Sequence, residues 1–213
     1  MSERIPFGAS LHGLGNYRAW TVPIIPGGHA KPLVFLEGVS LGQQVIAREI
    51  DATTETGAHE ILSDIMAAHE AGDIHTIARY KCKHPLRWLS MIFPAACNAR
   101  FIGLFFPDGK LLGWLSFSTS PSIPGKAIIG AIIRPEYRNA GLGTAAMLHA
   151  QKYLHDIMKS DAITGIFFDT QARNARVLSI AKRIKAVEQG RRVDQMRGGE
   201  IMVSFTSEVA AEA

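Results

Sequence analysis

Between residues 127 and 133 the chain carries Ile128, Ile129, Ile132 and Ile133 and offers no polar face. Such a run predicts a strand covered on both sides, because a half-exposed strand would alternate. Pro135 withdraws a backbone donor and stops it. The period then changes. Leu142, Ala146, Ala150, Tyr153 and Ile157 recur near helical spacing, which predicts a helix beginning behind Gly143. A buried strand therefore passes through a glycine-bearing turn into a helix N-terminus.

The same reading orders the rest of the chain. Residues 1–44 are punctuated by glycine and proline and carry strand-like pieces at 17–25 and 33–36. They predict an N-terminal arm packed on the domain or on a second copy of it. The stretch 45–50 predicts the domain's first strand. Residues 57–71 predict a helix, with Ile61, Leu62, Ile65 and Met66 on one side and Gly72 as its stop. A short helix is expected at 74–81, ended by Pro85, while the apolar stretch 86–94 fits helix or loop. Pro107-Asp108-Gly109-Lys110 is strong turn chemistry between strands at 100–106 and 111–118, and a turn at 121–125 leads into the isoleucine strand, 127–134. Beyond the helix come a buried strand at 163–170, a helix striped by Val177, Leu178, Ala181 and Ile184, and strands at 186–188 and 200–205. The expected division is an arm at 1–44, one domain at 45–206, and a frayed tail at 207–213.

Composition narrows the partners. A chain of 213 residues with 47% hydrophobic and 20% charged content is globular and large enough for a proper core. A formal charge of +4 suits an anionic ligand. The densest basic pieces, Lys182-Arg183-Ile184-Lys185 and Arg191-Arg192, read as solvated faces, so nucleic acid is not the expected partner. Cys82 and Cys97 are the only cysteines and lack Cys-x-x-Cys spacing, so no metal site is expected. No apolar run reaches about 18 residues, which predicts a soluble, cytoplasmic protein without a membrane span.

The strand–turn–helix junction is where chemistry concentrates. The first N–H groups of a helix have no partner inside it, and its dipole places partial positive charge there. Gly141 and Gly143 permit close approach, and Arg138 adds a forked cation. The sum fits a phosphate or pyrophosphate cradle, although an ordinary strand–helix turn uses glycines too. The dinucleotide fingerprint lacks its third glycine here, and the mononucleotide loop lacks its lysine. What remains is Arg-x-x-Gly-x-Gly, Arg138 through Gly143, behind an apolar strand ending in Ile133-Arg134-Pro135.

That motif resembles the acyl-CoA signature of the GCN5-related N-acetyltransferase (GNAT) family, and the order of elements over about 45–206 is similar to the family's. The resemblance implies an α/β (α+β) fold with a mixed, mostly antiparallel sheet flanked by helices. Its fourth and fifth strands, 127–134 and 163–170, splay apart. It implies acetyl-CoA as cofactor, with pantetheine on backbone groups of Ala131, Ile132 and Ile133. The pyrophosphate falls on Arg138, Asn139, Ala140, Gly141, Leu142, Gly143 and Thr144, with Arg134 a nearby cation or simply solvated. Asn174, opening the next helix, matches a family asparagine that meets the cofactor, and asparagine is also a good N-cap. An oxyanion is expected at an N–H of a strand bulge around Ile132 or Ile133.

Two departures stand against full catalysis. Many family members carry a tyrosine where Ala181 stands, and Lys185-Ala186 replaces the usual Gly-Phe. Asp169 is the best-placed carboxylate for a base and also fits a helix cap. Tyr80 is a candidate acid, and His59, Glu60, His75 and His84 lie near the acceptor side. The implied function is direct acetyl transfer from acetyl-CoA to a primary amine on a small molecule or peptide. The competing reading is a CoA-binding module without turnover. Self-association as a homodimer is a further expectation.

Overall fold

The computed structural model describes residues 45–71, 86, 89, 93, 98–158, 160–195 and 198–209. The arm at 1–44, the helix expected at 74–81 and most of 86–94 lie outside these residues, as do Tyr80, His75 and His84. The described chain runs β1 (Ile46–Glu49), α1 (Glu55–Glu70), β2 (Arg100–Phe105), β3 (Leu111–Ser118) and β4 (Lys126–Ile133). A single-turn 3-10 segment, Pro135–Tyr137, leads to α2 (Leu142–Lys152) and α3 (Leu154–Met158). Then come β5 (Gly165–Gln171), α4 (Ala175–Arg183), β6 (Val187–Asp194) and β7 (Glu200–Glu208).

These strands form one seven-stranded sheet in the order β1-β2-β3-β4-β5-β7-β6. Every pairing is antiparallel except β4 with β5, which is parallel. Strand alternation sends side chains to two cores. Ile102, Leu104, Phe117, Ala127, Ile129, Ile166 and Phe205 face α2, α3 and α4. Phe101, Phe105, Leu111 and Trp114 face α1 with Ile61, Leu62 and Ile65. Helices thus cover both faces of β2 and β3, whereas β4, expected to be buried on both sides, is exposed at Gly130 and Ala131 and half-buried at Ile132 and Ile133.

Several expectations shift. The helix starts at Leu142 and is capped by Gly141, two residues before the point expected. The stripe through Ile157 is split, because α2 ends at a C-cap, Tyr153, and α3 follows at once. β6 is far longer than 186–188. It is exposed from Val187 to Val193, an edge strand with only β7 beside it among the described residues, so its charged residues hid its pairing. β7 continues through Ser207, which is buried, to Glu208, so part of the supposed tail belongs to the sheet.

Candidate active site

β4 and β5 pair only at Lys126–Gly165, Ala127–Ile166 and Ile128–Phe167. Past these rungs β4 stays bonded to β3, and β5 to β7, through Ile133 and Gln171. The two strands therefore diverge while each remains anchored on its far side, which opens a V in mid-sheet. On the β3 side the register is unbroken from Ile128 to Ile133, so the expected bulge is absent. Arg134 N–H donates to Leu112 C=O at 2.9 Å, and antiparallel bonding alternates. Ile132 therefore turns its backbone to β3, whereas Ala131 and Ile133 turn theirs to the V. The Ile133 carbonyl is already met there by Arg138 Nε at 2.9 Å.

The α2 N-terminus stands at the mouth of this V. Gly141, its N-cap, adopts φ 82°, left-handed backbone that a side chain would strain. No side chain caps this end, and its first turn holds no acidic residue. The helix's own bonds begin with Ala145 N–H to Gly141 C=O, so the N–H groups of Leu142, Gly143 and Thr144 find no acceptor within it. Gly143 has a packing reason as well: a Cβ there would sit 3.0 Å from Ile180 Cδ1 of α4.

Together these elements enclose a cleft of about 700 Å³. Ala131, Ile132, Ile133, Arg138, Asn139, Gly141, Leu142, Gly143, Thr144, Asp169 and Asn174 all line it, and Ala140 does not. Sequence reasoning missed Arg176, Ser179, Ile180 and Arg183, which also line it. Their spacing along α4 is that of one helix face, a signal legible once the cleft is known. With Arg138 they make the lining cationic, against Asp169 as its one carboxylate among the described residues. Asn174 caps α4, its Oδ1 accepting from Val177 N–H at 3.2 Å. Ala181 is 1% exposed and packs in the core instead of lining the cleft.

Two of the expected charges have partners. Arg134 is neither solvated nor in the cradle: its Nε donates to Asp64 Oδ1 of α1 at 2.8 Å and its Nη1 to Leu111 C=O at 3.0 Å. Burial pushes the Asp64 carboxyl up, only partly countered by Arg134. The Trp114 indole N–H lies close enough to favour the charged form, although it falls short of a hydrogen bond. Asp169 Oδ2 accepts from Arg192 Nη2 at 2.5 Å, and Arg192 Nη1 donates to Ser204 Oγ at 3.0 Å. Arg192 is thus engaged rather than merely solvated. Asp169 Oδ1 is shielded from solvent and has no donor among the described residues. His59 and Glu60 do not line the cleft.

An uncapped, acid-free helix end suits a pyrophosphate, and a mid-sheet gap with outward-turned backbone suits an amide-bearing arm. Acetyl-CoA has both parts, so these residues fit it.

The model of the acetyltransferase (GNAT) family matches residues 59–183, more than half of the chain. Among solved structures, mutant forms of the spermidine/spermine N-acetyltransferase from Vibrio cholerae superpose with TM-score 0.59 at 15% identity, covering 78% of this chain and 94% of that one. A putative acetyltransferase from Acinetobacter baylyi gives 0.57 at 18% identity, over 79% and 94%. A putative phosphinothricin N-acetyltransferase gives 0.58 at 12%, over 78% and 99%. At such identities these likenesses establish the fold alone. No curated protein matches the sequence significantly. The splayed strands, the motif from Arg138 to Gly143 and the family match agree: the chain belongs to the GNAT acetyltransferase family.

Proposed function

We propose that the protein is an N-acetyltransferase that moves acetyl from acetyl-CoA directly to a primary amine. The observation that carries this is the V between β4 and β5 with a bare helix N-terminus at its mouth. Leu142, Gly143 and Thr144 N–H groups hold the pyrophosphate, with Arg138 beside them and Asn139, Ala140 and Gly141 shaping the bend. Ala131 and Ile133 offer backbone partners to the pantetheine arm, and Ile132 contributes its side chain. Asn174 caps α4 and lines the same cleft, so it serves both ends. Bound acetyl-CoA supplies an activated acetyl thioester.

Ile133 N–H, turned to the gap, is the donor best oriented toward charge developing on a carbonyl oxygen. Asp169, across the V on β5, takes the proton of the attacking amine, directly or through a water. No tyrosine stands at Ala181 to protonate the leaving sulfur. A thiol's ordinary pKa of about 8.5 makes thiolate a tolerable leaving group, so a dedicated acid is not required. The acceptor is an amine of small-molecule or peptide type. Spermidine is a reasonable first probe, because structural neighbours are described as spermidine N-acetyltransferases. One of these is dodecameric, which supports testing self-association here too.

The experiment is a melting curve with acetyl-CoA. A ligand at 100 times its dissociation constant adds about 2.7 kcal/mol, or roughly 5–10 °C for a domain of this size. A shift with ATP or NAD but none with acetyl-CoA or CoA would reject the reading. Binding without thiol release across a panel of amines would make the protein a CoA-binding module, as the missing tyrosine allows.

A further inference from the structure

Arg192 was an unremarkable surface arginine in the sequence, yet it bridges three strands. From β6 it reaches Asp169 on β5 and Ser204 on β7, each through one arm of its guanidinium. Asp169 and Ser204 are register partners, so the fork spans a single rung of the sheet. That rung lies two residues past the last β4–β5 pairing, where the V begins to open. One Asp169 oxygen is thereby occupied, and the other is buried without a donor among the described residues. A buried acceptor left unpaired is costly, and a ligand N–H entering the cleft is the group able to satisfy it.

We infer that Arg192 is a positioning residue: it pins Asp169 Oδ2 in one rotamer so that Oδ1 is the atom that meets the acceptor nitrogen. This rests on the role given to Asp169 above. In the balanced reaction a neutral amine enters and its nitrogen bonds to the acetyl carbon. The carbon–sulfur bond breaks and the electron pair leaves on sulfur as thiolate. The proton released from nitrogen goes to Asp169 and then to solvent, which returns one to sulfur. The hydrogen bond to Asp169 in turn raises the Arg192 guanidinium, so the pinning cation stays charged. Among the described residues, Asp194 along β6 also acts on Arg192, and Arg138, Arg176 and Arg183 line the same cleft as Asp169.

The test uses the full chain with Arg192→Gln, Arg192→Lys, Asp169→Asn and the Gln/Asn double variant. The first readout needs no turnover: a crystal structure of each variant without cofactor, read for the Asp169 rotamer. Arg192→Gln is expected to release the Asp169 carboxylate from its single orientation, and Arg192→Lys to restore most of it. The second readout is CoA thiol release from acetyl-CoA with spermidine and a panel of primary amines, with the CoA-induced melting shift as control for fold and cofactor binding. Asp169→Asn is expected to lower kcat on the order of 100-fold. Arg192→Gln should lower it about tenfold with KM for acetyl-CoA little changed, Arg192→Lys should recover most of that loss, and the double variant should be no slower than Asp169→Asn. An unmoved Asp169 rotamer in Arg192→Gln, or wild-type kcat in that variant beside a slow Asp169→Asn, overturns the positioning role and leaves Asp169 as base. Wild-type kcat in Asp169→Asn overturns both roles while acetyl transfer stands. No thiol release by the wild type with any amine removes the transfer reading itself.

Discussion

Removing Arg134 should cost far more than neutralising the acid it holds. Asp64 is 8% exposed and its carboxyl is raised from an ordinary 3.8 chiefly by burial, so the pair is bought at a desolvation cost that Arg134 only partly offsets. In Arg134→Met the stem's packing survives, but the carboxylate loses its cation and Leu111 C=O loses a donor. The acid then escapes by staying protonated. At 1.36 kcal/mol per unit, holding a proton from 3.8 to pH 7 costs about 4 kcal/mol, which caps the electrostatic loss. Part of that is already incurred in the wild type, so a net loss of about 2–3 kcal/mol, roughly 5–10 °C in Tm, is expected at pH 7. The sign in pH follows. A raised acid binds more protons folded than unfolded, so its contribution is fullest below 3.8 and declines as pH rises through the folded pKa. The two proteins should therefore converge toward pH 4. Asp64→Asn, which removes the charge and keeps the shape, should stay within about 1 kcal/mol of wild type. Urea unfolding of all three from pH 4 to 8 is the assay. A loss for Arg134→Met that is smaller than that for Asp64→Asn, or that does not change with pH, would refute the reasoning.

Lys185 sits at φ 56° just past α4, where Lys185 N–H to Lys182 C=O and Ala186 N–H to Ala181 C=O close a Schellman cap. Lys185→Gly should gain up to about 1 kcal/mol in urea unfolding, the left-handed strain outweighing glycine's entropy. Thr144→Glu should weaken CoA binding at least about tenfold by calorimetry while Tm without ligand changes little, because it sets a carboxylate in the bare first turn of α2. Asn174→Ala should lose about 1 kcal/mol as a cap. A larger loss in CoA binding than in stability would separate the cofactor role from the cap. His149 is 6% exposed and burial lowers it from 6.5 to about 4. A depressed base stabilises above its unfolded pKa and loses that as pH falls, so His149→Gln should flatten an acid-side decline worth up to about 3 kcal/mol between pH 6.5 and 4.

The elements that announced themselves in the sequence are those whose burial is one-sided or complete. β5 and the first half of β4 put Ala127, Ile129, Ile166 and Phe168 into the core, and the β2–β3 hairpin is marked by Pro107-Asp108-Gly109. β6 announced only its start near 186–188, since an edge strand bonded on one side owes the rest of its conformation to pairing with β7. The α2–α3 break was hidden for the opposite reason: the apolar stripe runs through it, and only Tyr153's non-helical backbone marks the change. Periodicity records which side is wet, not where the hydrogen-bond ladder stops.

The site divides in the same way. Its anion end was legible because it is local: glycines and a helix start adjacent in the chain are adjacent in space. The partners of Asp169 were not, because Asp169, Arg192 and Ser204 come from three strands and meet only through sheet order. Arg134 shows the hazard of local reasoning, for it sits four residues before Arg138 yet turns through the sheet to Asp64 on α1. That contact is informative about function as well. It ties the end of β4 to the helix on the opposite face, whose Ala68 lines the cleft, and so fixes the strand whose Ala131 and Ile133 face the V. The missing tyrosine fits this division. Ala181 faces the core, and on the strand side of the gap Asp169 is the one carboxylate among the described residues that lines it.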